Sequence, residues 1–264
     1  MGKVALIDGD ILVYESCFAA QSAYQQATGT DDTVDFQSVE NSMVQRIEQI
    51  MLGADCDSYV LYITEGHTFR YDVAFTKPYK GTRHADKPYH YANLRAVIKT
   101  LHPCKVVTML EADDQLAIDA LADRDNTVLC SRDKDLRQVT GATVYSWELG
   151  NQPSFGPTKI QRIGGVDRHG KGTGFAFFMA QMVMGDGVDN VPGITGKGPA
   201  AAHAILSPIV EDDELTEDEK VAEMKAAVTT AYQRCYAEDY EEVYEEQATL
   251  LWMLRAQPAD GDRI

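Results

Sequence analysis

The chain has 264 residues, of which 44% are hydrophobic, and these values predict one large α/β domain, alone or with a small helical appendage. They exclude a disordered chain, and no apolar run approaches the roughly 20 residues that a membrane helix needs. The formal net charge of −17, taken alone, argues against a nucleic-acid partner, because phosphate binding draws on positive charge.

The predicted elements alternate between strands and helices along the first half of the chain. They are a strand at 4–7, a helix at 11–26, a helix at 39–52 that stops at Gly53, a strand at 59–63, a helix at 94–101, a strand at 105–108, a helix at 112–122, and strands at 127–130 and 142–145. This alternation predicts a mostly parallel central sheet covered by helices on both faces.

The second half of the chain is predicted to be mainly helical. Residues 150–173 are rich in Gly, Pro and basic residues and are expected to form a loop or hairpin. Helices are predicted at 175–184 and 200–206, and the last 50 residues read as two amphipathic, acidic helices. A solvated helical cover is the expected role of these last helices, with docking of a partner left open.

Charge is strongly segregated along the sequence. Residues 77–105 hold seven Lys or Arg and a single acid, Asp86, whereas residues 211–223 hold eight acids and residues 238–246 hold six. A local basic face can therefore coexist with an acidic whole, and the net charge does not exclude a nucleic-acid partner.

Five widely spaced cysteines without a CxxC pair predict reduced, mostly buried thiols in a reducing cytoplasm, and they do not suggest zinc.

Acidic residues follow the predicted strands, at positions 8, 10, 65, 111, 113, 133 and 135. In a parallel sheet the carboxyl ends of the strands meet at one edge, where function usually gathers. Four clusters result: Asp8-Gly9-Asp10, Glu111-Ala112-Asp113-Asp114, Ser131-Arg132-Asp133-Lys134-Asp135 and Met184-Gly185-Asp186-Gly187-Val188-Asp189-Asn190.

The side chains of these clusters suggest a metal site. All-oxygen ligands favour Mg²⁺ or Mn²⁺, and a pair of such ions can drive phosphodiester hydrolysis. Each cluster alone could equally be a set of helix caps and surface charges.

The basic segment interleaves cations with aromatic residues. Cations can follow a nucleic-acid backbone while aromatic faces stack on unpaired bases, which predicts a contact with DNA rather than a plain solvated loop. The interleaved residues are Lys77, Tyr79, Lys80, Arg83, Lys87, Tyr89, Tyr91, Arg95 and Lys99. No role is assigned to His84 or His90.

A glycine-rich turn precedes the helix at 200–206. Its glycines, Gly193, Gly196 and Gly198, let the backbone approach a phosphate, Lys197 adds charge, and a helix N-terminus presents unpaired N–H groups. Such a turn grips a duplex without reading its sequence. The alternative is an ordinary loop-to-helix turn.

These motifs, in this order, resemble the 5′→3′ exonuclease and flap endonuclease family in its bacterial and bacteriophage form. The resemblance covers residues 4 to about 206. The matching stretches are Leu6-Ile7-Asp8-Gly9-Asp10, Thr68-Phe69-Arg70, Tyr79-Lys80-x-x-Arg83, Glu111-Ala112-Asp113-Asp114, Ser131-x-Asp133-Lys134-Asp135-Leu136 and Met184-Gly185-Asp186-x-x-Asp189-Asn190-Val191-Pro192-Gly193-Ile194.

The resemblance implies a PIN-like nuclease domain at 1–174, with a mobile arch or gateway at 66–99, followed by a helix–three-turn–helix region and C-terminal helices at 175–264. The implied metal ligands are Asp8, Glu111, Asp113, Asp133, Asp135, Asp186 and Asp189, with Asp114 supporting them. One family carboxylate normally follows the second strand. Glu65 is the candidate here, displaced by about two positions, and the role of Asp10 stays open.

The same resemblance implies the activity and its partners. Lys80 and Arg83 match a basic pair that would contact the scissile phosphate. Mg²⁺, replaceable by Mn²⁺, would be the cofactor. The resemblance also allows a K⁺ ion bound at the helix–three-turn–helix. The expected substrates are DNA 5′ ends, flaps and duplex–single-strand junctions in replication or repair. The expected protein is a monomer in the cytoplasm, or in the host cytoplasm if encoded by a bacteriophage.

Ala200 and Ala201 depart from the family pattern, which often carries Lys and a small or polar residue there. Weaker duplex affinity is the expected consequence, unless Lys197 substitutes.

Three alternatives stay open on the sequence. A non-catalytic relative that binds branched DNA would share the same motifs. The Asp8-Gly9-Asp10 motif also resembles the nucleophile motif of haloacid-dehalogenase-type phosphatases, although Leu12 stands where that family has Thr or Val. A PIN-type ribonuclease is the third, although such proteins are usually shorter and lack the motif at 185–206.

Overall fold

The computed structural model describes residues 2–83 and 86–258. Contacts divide the chain into two compact units, each built from separate segments. The first unit comprises Met1–Gly66, Ala85–Lys134 and Ala142–Thr158, and the second comprises His67–His84, Asp135–Gly141 and Lys159–Ile264. The predicted division at residue 174 follows chain order, whereas the units are discontinuous. Residues 84 and 85 of the predicted arch, and residues 259–264 of the predicted C-terminal region, lie outside the described residues.

A six-stranded sheet dominates the first unit. Its strands are β1 (Val4–Asp8), β2 (Ser58–Thr68), β3 (Cys104–Met109), β4 (Thr127–Cys130), β5 (Thr143–Ser146) and β6 (Phe155–Lys159), in the order β3-β2-β1-β4-β5-β6. β1 pairs in parallel with β2 and β4, and β4 pairs in parallel with β5, which confirms the predicted parallel sheet. Successive strands run outward on one side of β1 and then on the other, so the direction of winding changes between β1 and β4.

Nine α-helices lie within the described residues. They are α1 (Gly9–Thr28), α2 (Phe36–Ala54), α3 (Arg70–Val73), α4 (Tyr91–Leu101), α5 (Ala112–Ala122), α6 (Gly174–Met184), α7 (Pro199–Val210), α8 (Glu217–Tyr236) and α9 (Tyr240–Leu251). The helices α1, α2, α4 and α5 belong to the first unit.

The core of the first unit follows from the period of two in its strands. Alternate residues of β1, β2 and β4, such as Ile7, Leu61 and Val128, are buried and form one cluster with the apolar faces of α1, α2 and α4. Burial of both faces explains why these strands read as continuous apolar runs.

Several predicted boundaries differ from the observed ones by two to five residues, and two of these differences matter for the argument. The helix α2 passes through Gly53 and ends at Ala54, followed by Asp55 in the left-handed region at φ 55°. Gly53 serves packing instead, because a Cβ there would lie 2.0 Å from the hydroxyl oxygen of Tyr145. The strand β2 continues to Thr68, so Glu65 lies within the strand and not after it.

The second unit is built around the apolar helix α6. Its core combines residues of α6, such as Met179 and Val183, with Leu206 of α7, Val228 of α8 and Leu250 of α9. The helices α8 and α9 confirm the two predicted acidic helices, each buried along one face only. The predicted hairpin in residues 150–173 is present as strands β7 (Gly165–Val166) and β8 (Gly172–Thr173), whereas β6 was not predicted.

None of the helices in the described part of the chain has the length and apolarity that a membrane crossing needs. All five cysteines are free, as predicted. Only Cys17 and Cys130 are buried, and Cys235 is exposed, so the expectation of mostly buried thiols was only partly right.

Candidate functional site

Asp8 stands at the point where the winding of the sheet reverses. It is the last residue of β1 and caps the N-terminus of α1, where its Oδ1 accepts a hydrogen bond of 3.0 Å from the Ile11 amide. In the parallel register of β1 and β4, Ile7 lies opposite Cys130, which places Ser131 beside Asp8. The Ser131 hydroxyl donates to Asp8 Oδ2 at 2.7 Å and accepts from the Asp133 amide at 2.9 Å. Sheet register therefore joins the first and third predicted clusters.

The environment of Asp8 disfavours its charged form. Burial, the negative charge of Asp10 and, less strongly, that of Asp133 raise its pKa to about 7, although the hydrogen bonds from Ile11 and Ser131 act in the opposite direction. A buried carboxylate surrounded by like charges is a typical feature of a functional site, since the surroundings favour neutralisation by a proton or a cation.

Asp10 is fixed by a network that sequence reasoning did not assign. Its Oδ2 accepts from the Thr64 amide at 2.9 Å, and its Oδ1 forms a close ion pair with Arg95. The same guanidinium contacts the Thr64 carbonyl, and the Thr64 hydroxyl accepts from the Ala112 amide at 2.8 Å. The network thus ties the ends of β1 and β2 to the start of α5. In the sequence, only the position of Arg95 in the basic segment hinted that it has a functional role.

Glu65 has different surroundings from Asp10. Its carboxylate is half exposed and accepts a hydrogen bond of 2.9 Å from Lys99, which lowers its pKa. Asp10, and not Glu65, contributes to the electrostatics of Asp8. The assignment of Glu65 as a metal ligand therefore stays a prediction, without support from a contact to the other candidate ligands.

The second cluster lies at the N-terminus of helix α5. Glu111 is the N-cap residue, and Asp114 is three positions on: each side chain accepts from the backbone amide of the other, with Asp114 Oδ2 at 3.3 Å from the Glu111 nitrogen. Asp114 is fully buried, which fits a supporting role. Asp113 lies in the first turn of the same helix.

In the second unit, Asp135 lies in a 3₁₀ turn at Lys134–Gln138 and is buried. The side-chain amide of Gln181, on α6, donates to Asp135 Oδ1 at 2.7 Å. Gln181, in the otherwise apolar helix α6, and Gln138, at the end of the 3₁₀ turn, are both fully buried, and Gln138 donates to the Leu251 carbonyl at 2.8 Å. These glutamines orient Asp135 and were missed because nothing in their spacing signals a partner.

Asp186 and Asp189 occupy the turn that leaves α6. Asp186 Oδ1 accepts from the amides of Val188 at 2.7 Å and Asp189 at 3.3 Å, and its backbone pairs with Val191. Gly185, at φ 72°, allows this turn, because a Cβ there would lie 2.4 Å from the Val191 carbonyl oxygen.

The basic segment meets Asp189 inside the second unit. Arg83 donates to Asp189 Oδ1 at 2.6 Å, and the Tyr79 hydroxyl donates to Oδ2 at 2.9 Å. Lys80 adopts φ 53°, its amide donates to the Asp189 carbonyl at 2.9 Å, and its ammonium lies 4.9 Å from the centroid of the Tyr79 ring. Lys80 and Arg83, which the resemblance assigns to the scissile phosphate, therefore lie beside Asp189, which it assigns to a metal ion.

Two predicted DNA contacts need correction. Tyr79 is only 4% exposed, so its ring packs inside the protein and cannot stack on a base in this conformation. Tyr89, 77% exposed, is the aromatic residue of the segment that can. Gly193 is buried and its carbonyl accepts from the Tyr236 hydroxyl at 2.5 Å, so it shapes the turn and does not face a phosphate.

Arg95, also in the predicted DNA-contacting segment, is mostly buried and paired with Asp10, whereas four other predicted contacts are accessible. Lys87 and Lys197 are exposed, and a Cβ at Gly196 or Gly198 would meet no atom within 4 Å. Gly198 is the N-cap residue of α7, and Pro199 opens that helix, as predicted.

The donor chemistry of these carboxylates fits a hard divalent cation. Within residues 2–83 and 86–258, however, no three His, Cys, Asp or Glu side chains lie together at the spacing that a metal ion requires. The ligand set therefore stays a prediction that rests on residue types and on the repulsion around Asp8.

Comparisons with known proteins agree with the motifs. No family model matches the chain. It is 25% identical over 212 residues to a protein named flap endonuclease Xni of Shewanella baltica, a match that covers 78% of this chain and 74% of the relative. It is 28% identical over 165 residues to DNA polymerase I of Rhizobium leguminosarum, where the match covers 60% of this chain and only 16% of the relative.

Solved structures share the fold over nearly the whole chain. A bacteriophage T5 flap endonuclease, solved in a complex with DNA and metal ions, has a TM-score of 0.58 and 15% identity, with 94% of this chain and 99% of that chain covered. A mutant of the T5 5′-exonuclease has a TM-score of 0.53 and 16% identity, with 96% and 100% covered. The chain is thus similar in sequence to proteins named flap endonuclease, and it shares its fold with the solved T5 5′-exonuclease and flap endonuclease structures. The likeness to these solved structures confirms the predicted PIN-like fold.

Proposed function

We propose that the chain is a divalent-metal-dependent 5′ nuclease that hydrolyses DNA phosphodiester bonds, as a 5′→3′ exonuclease, a flap endonuclease or both. The observation that carries the proposal is Asp8, a buried carboxylate at the switch point of the sheet, surrounded by Asp10 and Asp133. The relatives named flap endonuclease and the shared fold supply the reaction class.

Mg²⁺, or Mn²⁺ in its place, would be held by the carboxylates that the motifs supply. In the first unit these are Asp8, Glu111, Asp113 and Asp133, and in the second unit Asp135, Asp186 and Asp189. When bound, two such ions would activate the attacking water and stabilise the leaving oxygen. Asp114 and Ser131 position their neighbours through the hydrogen bonds described above.

The protein's own cations would bind the DNA. Arg83 is half exposed, so its guanidinium can exchange Asp189 for a phosphate, and Lys80 lies three residues away. Lys87 and Tyr89 would contact the single strand by charge and stacking. The turn with Gly196, Lys197 and Gly198 would bind the duplex backbone. A K⁺ ion would bind at the same turn as an auxiliary cation. The proposed substrates are DNA 5′ ends, flaps and junctions, bound by a cytoplasmic monomer.

The test uses flap, nicked and blunt DNA labelled at either the 5′ or the 3′ end, incubated with the protein and Mg²⁺. Exonucleolytic cutting releases short products from the 5′ end, whereas flap cutting releases the intact flap. The double variant Asp133→Asn/Asp135→Asn should abolish cleavage. Asp31→Asn/Asp32→Asn removes the same two charges from an exposed loop and should cleave normally.

Normal turnover by Asp133→Asn/Asp135→Asn would overturn the metal assignment. Binding of branched DNA without cleavage by the wild-type protein, at any Mg²⁺ or Mn²⁺ concentration, would favour the non-catalytic alternative instead. Release of phosphate from a generic phosphomonoester in place of DNA cleavage would favour the phosphatase alternative.

A further inference from the structure

A second acidic site lies in the second unit, formed by α9 and the segment after α3. A pocket of about 270 Å³ is lined by Val73, Phe75, Glu242, Glu245, Glu246 and Thr249. Val73 and Phe75 lie in the predicted arch at 66–99, but none of the lining residues belongs to the nuclease motifs or to the proposed DNA contacts, so the proposed function does not explain the site.

Glu246 gives the pocket its structure. It is only 3% exposed, and its Oε1 accepts from the amides of Phe75 at 2.6 Å and Thr76 at 2.7 Å, which fixes the segment against α9. Its Oε2 is buried and accepts no hydrogen bond from any described residue. A buried carboxylate oxygen without a donor is costly, so this atom indicates a ligand that donates.

The remaining lining residues define the chemistry of that ligand. Glu242, Glu245 and Glu246 recur at the three- and four-residue spacing that places side chains on one helix face. Neither Glu242 nor Glu245 forms an ion pair with any described residue. Phe75 is 61% exposed and adds an aromatic face, and Val73 adds an aliphatic wall.

We propose that this pocket binds a linear aliphatic polyamine, with its ammonium groups on the three glutamates and its methylene chain against Val73 and Phe75. Several carboxylates match several ammonium groups, and an aromatic face favours a cation on a flexible stem. A divalent metal ion is a poorer match, because Val73 and Phe75 supply apolar walls, whereas such an ion takes oxygen ligands on all sides.

Isothermal calorimetry with spermidine, without DNA or Mg²⁺ and at physiological ionic strength, tests the proposal. The wild-type protein should show saturable binding at one site. Glu242→Gln/Glu245→Gln should weaken it at least about tenfold, or about 1.4 kcal/mol. Glu223→Gln/Glu238→Gln removes the same charge from exposed positions outside the pocket and should bind as the wild type does.

Two further probes examine the shape of the ligand. Phe75→Ala, which keeps all three carboxylates, should weaken binding several-fold through loss of the aromatic face. n-Butylamine, with one ammonium group, should bind far more weakly than spermidine.

The proposal is overturned if the wild-type protein shows no saturable binding. Equal losses in the two double variants would also overturn it, because they would indicate a general attraction to an acidic surface. Butylamine binding as tightly as spermidine would point instead to a site for a single ammonium group, such as a lysine side chain.

Discussion

Asp10 and Glu65 are the two acids that could supply the carboxylate expected after the second strand. Their contacts in the structure favour Asp10. Asp10 is held by Arg95 and Thr64 next to Asp8 and contributes to the raised pKa of Asp8. Glu65 is half exposed and paired with Lys99. We infer that Asp10 supplies the negative charge that the family carries after its second strand.

Single substitutions should therefore have unequal effects. Asp10→Asn is expected to lower the cleavage rate at saturating DNA by roughly 10–100-fold and to raise the Mg²⁺ concentration for half-activation, because it removes charge and frees Arg95. Glu65→Gln should change either quantity little. Steady-state cleavage assays over a Mg²⁺ titration measure both, and a larger effect from Glu65→Gln would contradict the inference.

Arg70 is a residue whose role is structural although it lies in a family motif. It is fully buried and donates to the carbonyls of Leu250 at 3.0 Å and Trp252 at 2.8 Å, at the C-terminal end of α9. These carbonyls lack helical partners, so the guanidinium satisfies them.

Replacement of Arg70 by Met should cost roughly 3 kcal/mol of unfolding free energy, because buried carbonyls lose their donors. Urea denaturation followed by circular dichroism measures the loss. Arg168→Met, at an exposed position, is the control and should be neutral. If both variants unfold at the same urea concentration as the wild type, Arg70 is not a structural anchor.

At the scale of elements, the turn between α6 and α7 divides its glycines between two tasks. Gly185 and Gly193 are packed against backbone, and a Cβ at Gly193 would lie 2.2 Å from the Gly185 nitrogen. Gly196 and Gly198 have open space around them. The first pair therefore shapes the turn, and the second pair leaves room for a phosphate.

Duplex affinity should respond to the accessible part of the turn. Lys197→Ala should weaken binding and reduce the magnitude of the salt slope, log K against log salt concentration, by about 1. Gly198→Ala should leave the melting temperature unchanged, since φ is −119° and nothing is close, yet weaken binding by hindering phosphate approach. Gly165→Ala, with equal space in the β7–β8 hairpin, is the control; a comparable loss there would refute a local phosphate contact.

At the scale of the whole molecule, the net charge of −17 hides opposing local surfaces. Residues 211–246, with 14 acids and three Lys or Arg, make up a large share of the excess, whereas Lys87 and Lys197 are exposed for DNA. Repulsion among carboxylates near Asp8 is a further cost that a bound cation would relieve.

Mg²⁺ should therefore stabilise the folded chain even without DNA. When the free ion exceeds its dissociation constant about a hundredfold, the expected gain is about 2.7 kcal/mol, seen as a rise in melting temperature by calorimetry. Asp8→Asn should reduce this rise, and Asp31→Asn/Asp32→Asn should keep it. An undiminished rise in Asp8→Asn would remove Asp8 from the ligand set.

The sequence by itself determined the fold class and the order of elements. Short continuous apolar runs predicted most strands, a 3.6-residue apolar period predicted most helices, and α5 and β4 were predicted with their observed bounds. The motifs also carried the resemblance to the 5′ nucleases, because carboxylates at the ends of strands are a pattern of residue types that local sequence displays.

Only the tertiary structure decided which of these residues meet. The register of β1 and β4 brought Ser131 to Asp8, Arg95 selected Asp10 over Glu65, and packing buried Tyr79 and Gly193. The pocket at Glu246 likewise joins residues about 170 positions apart. Such outcomes depend on contacts between distant segments, and local periodicity carries no information about them, because it records which face of an element is apolar and not what that face will meet.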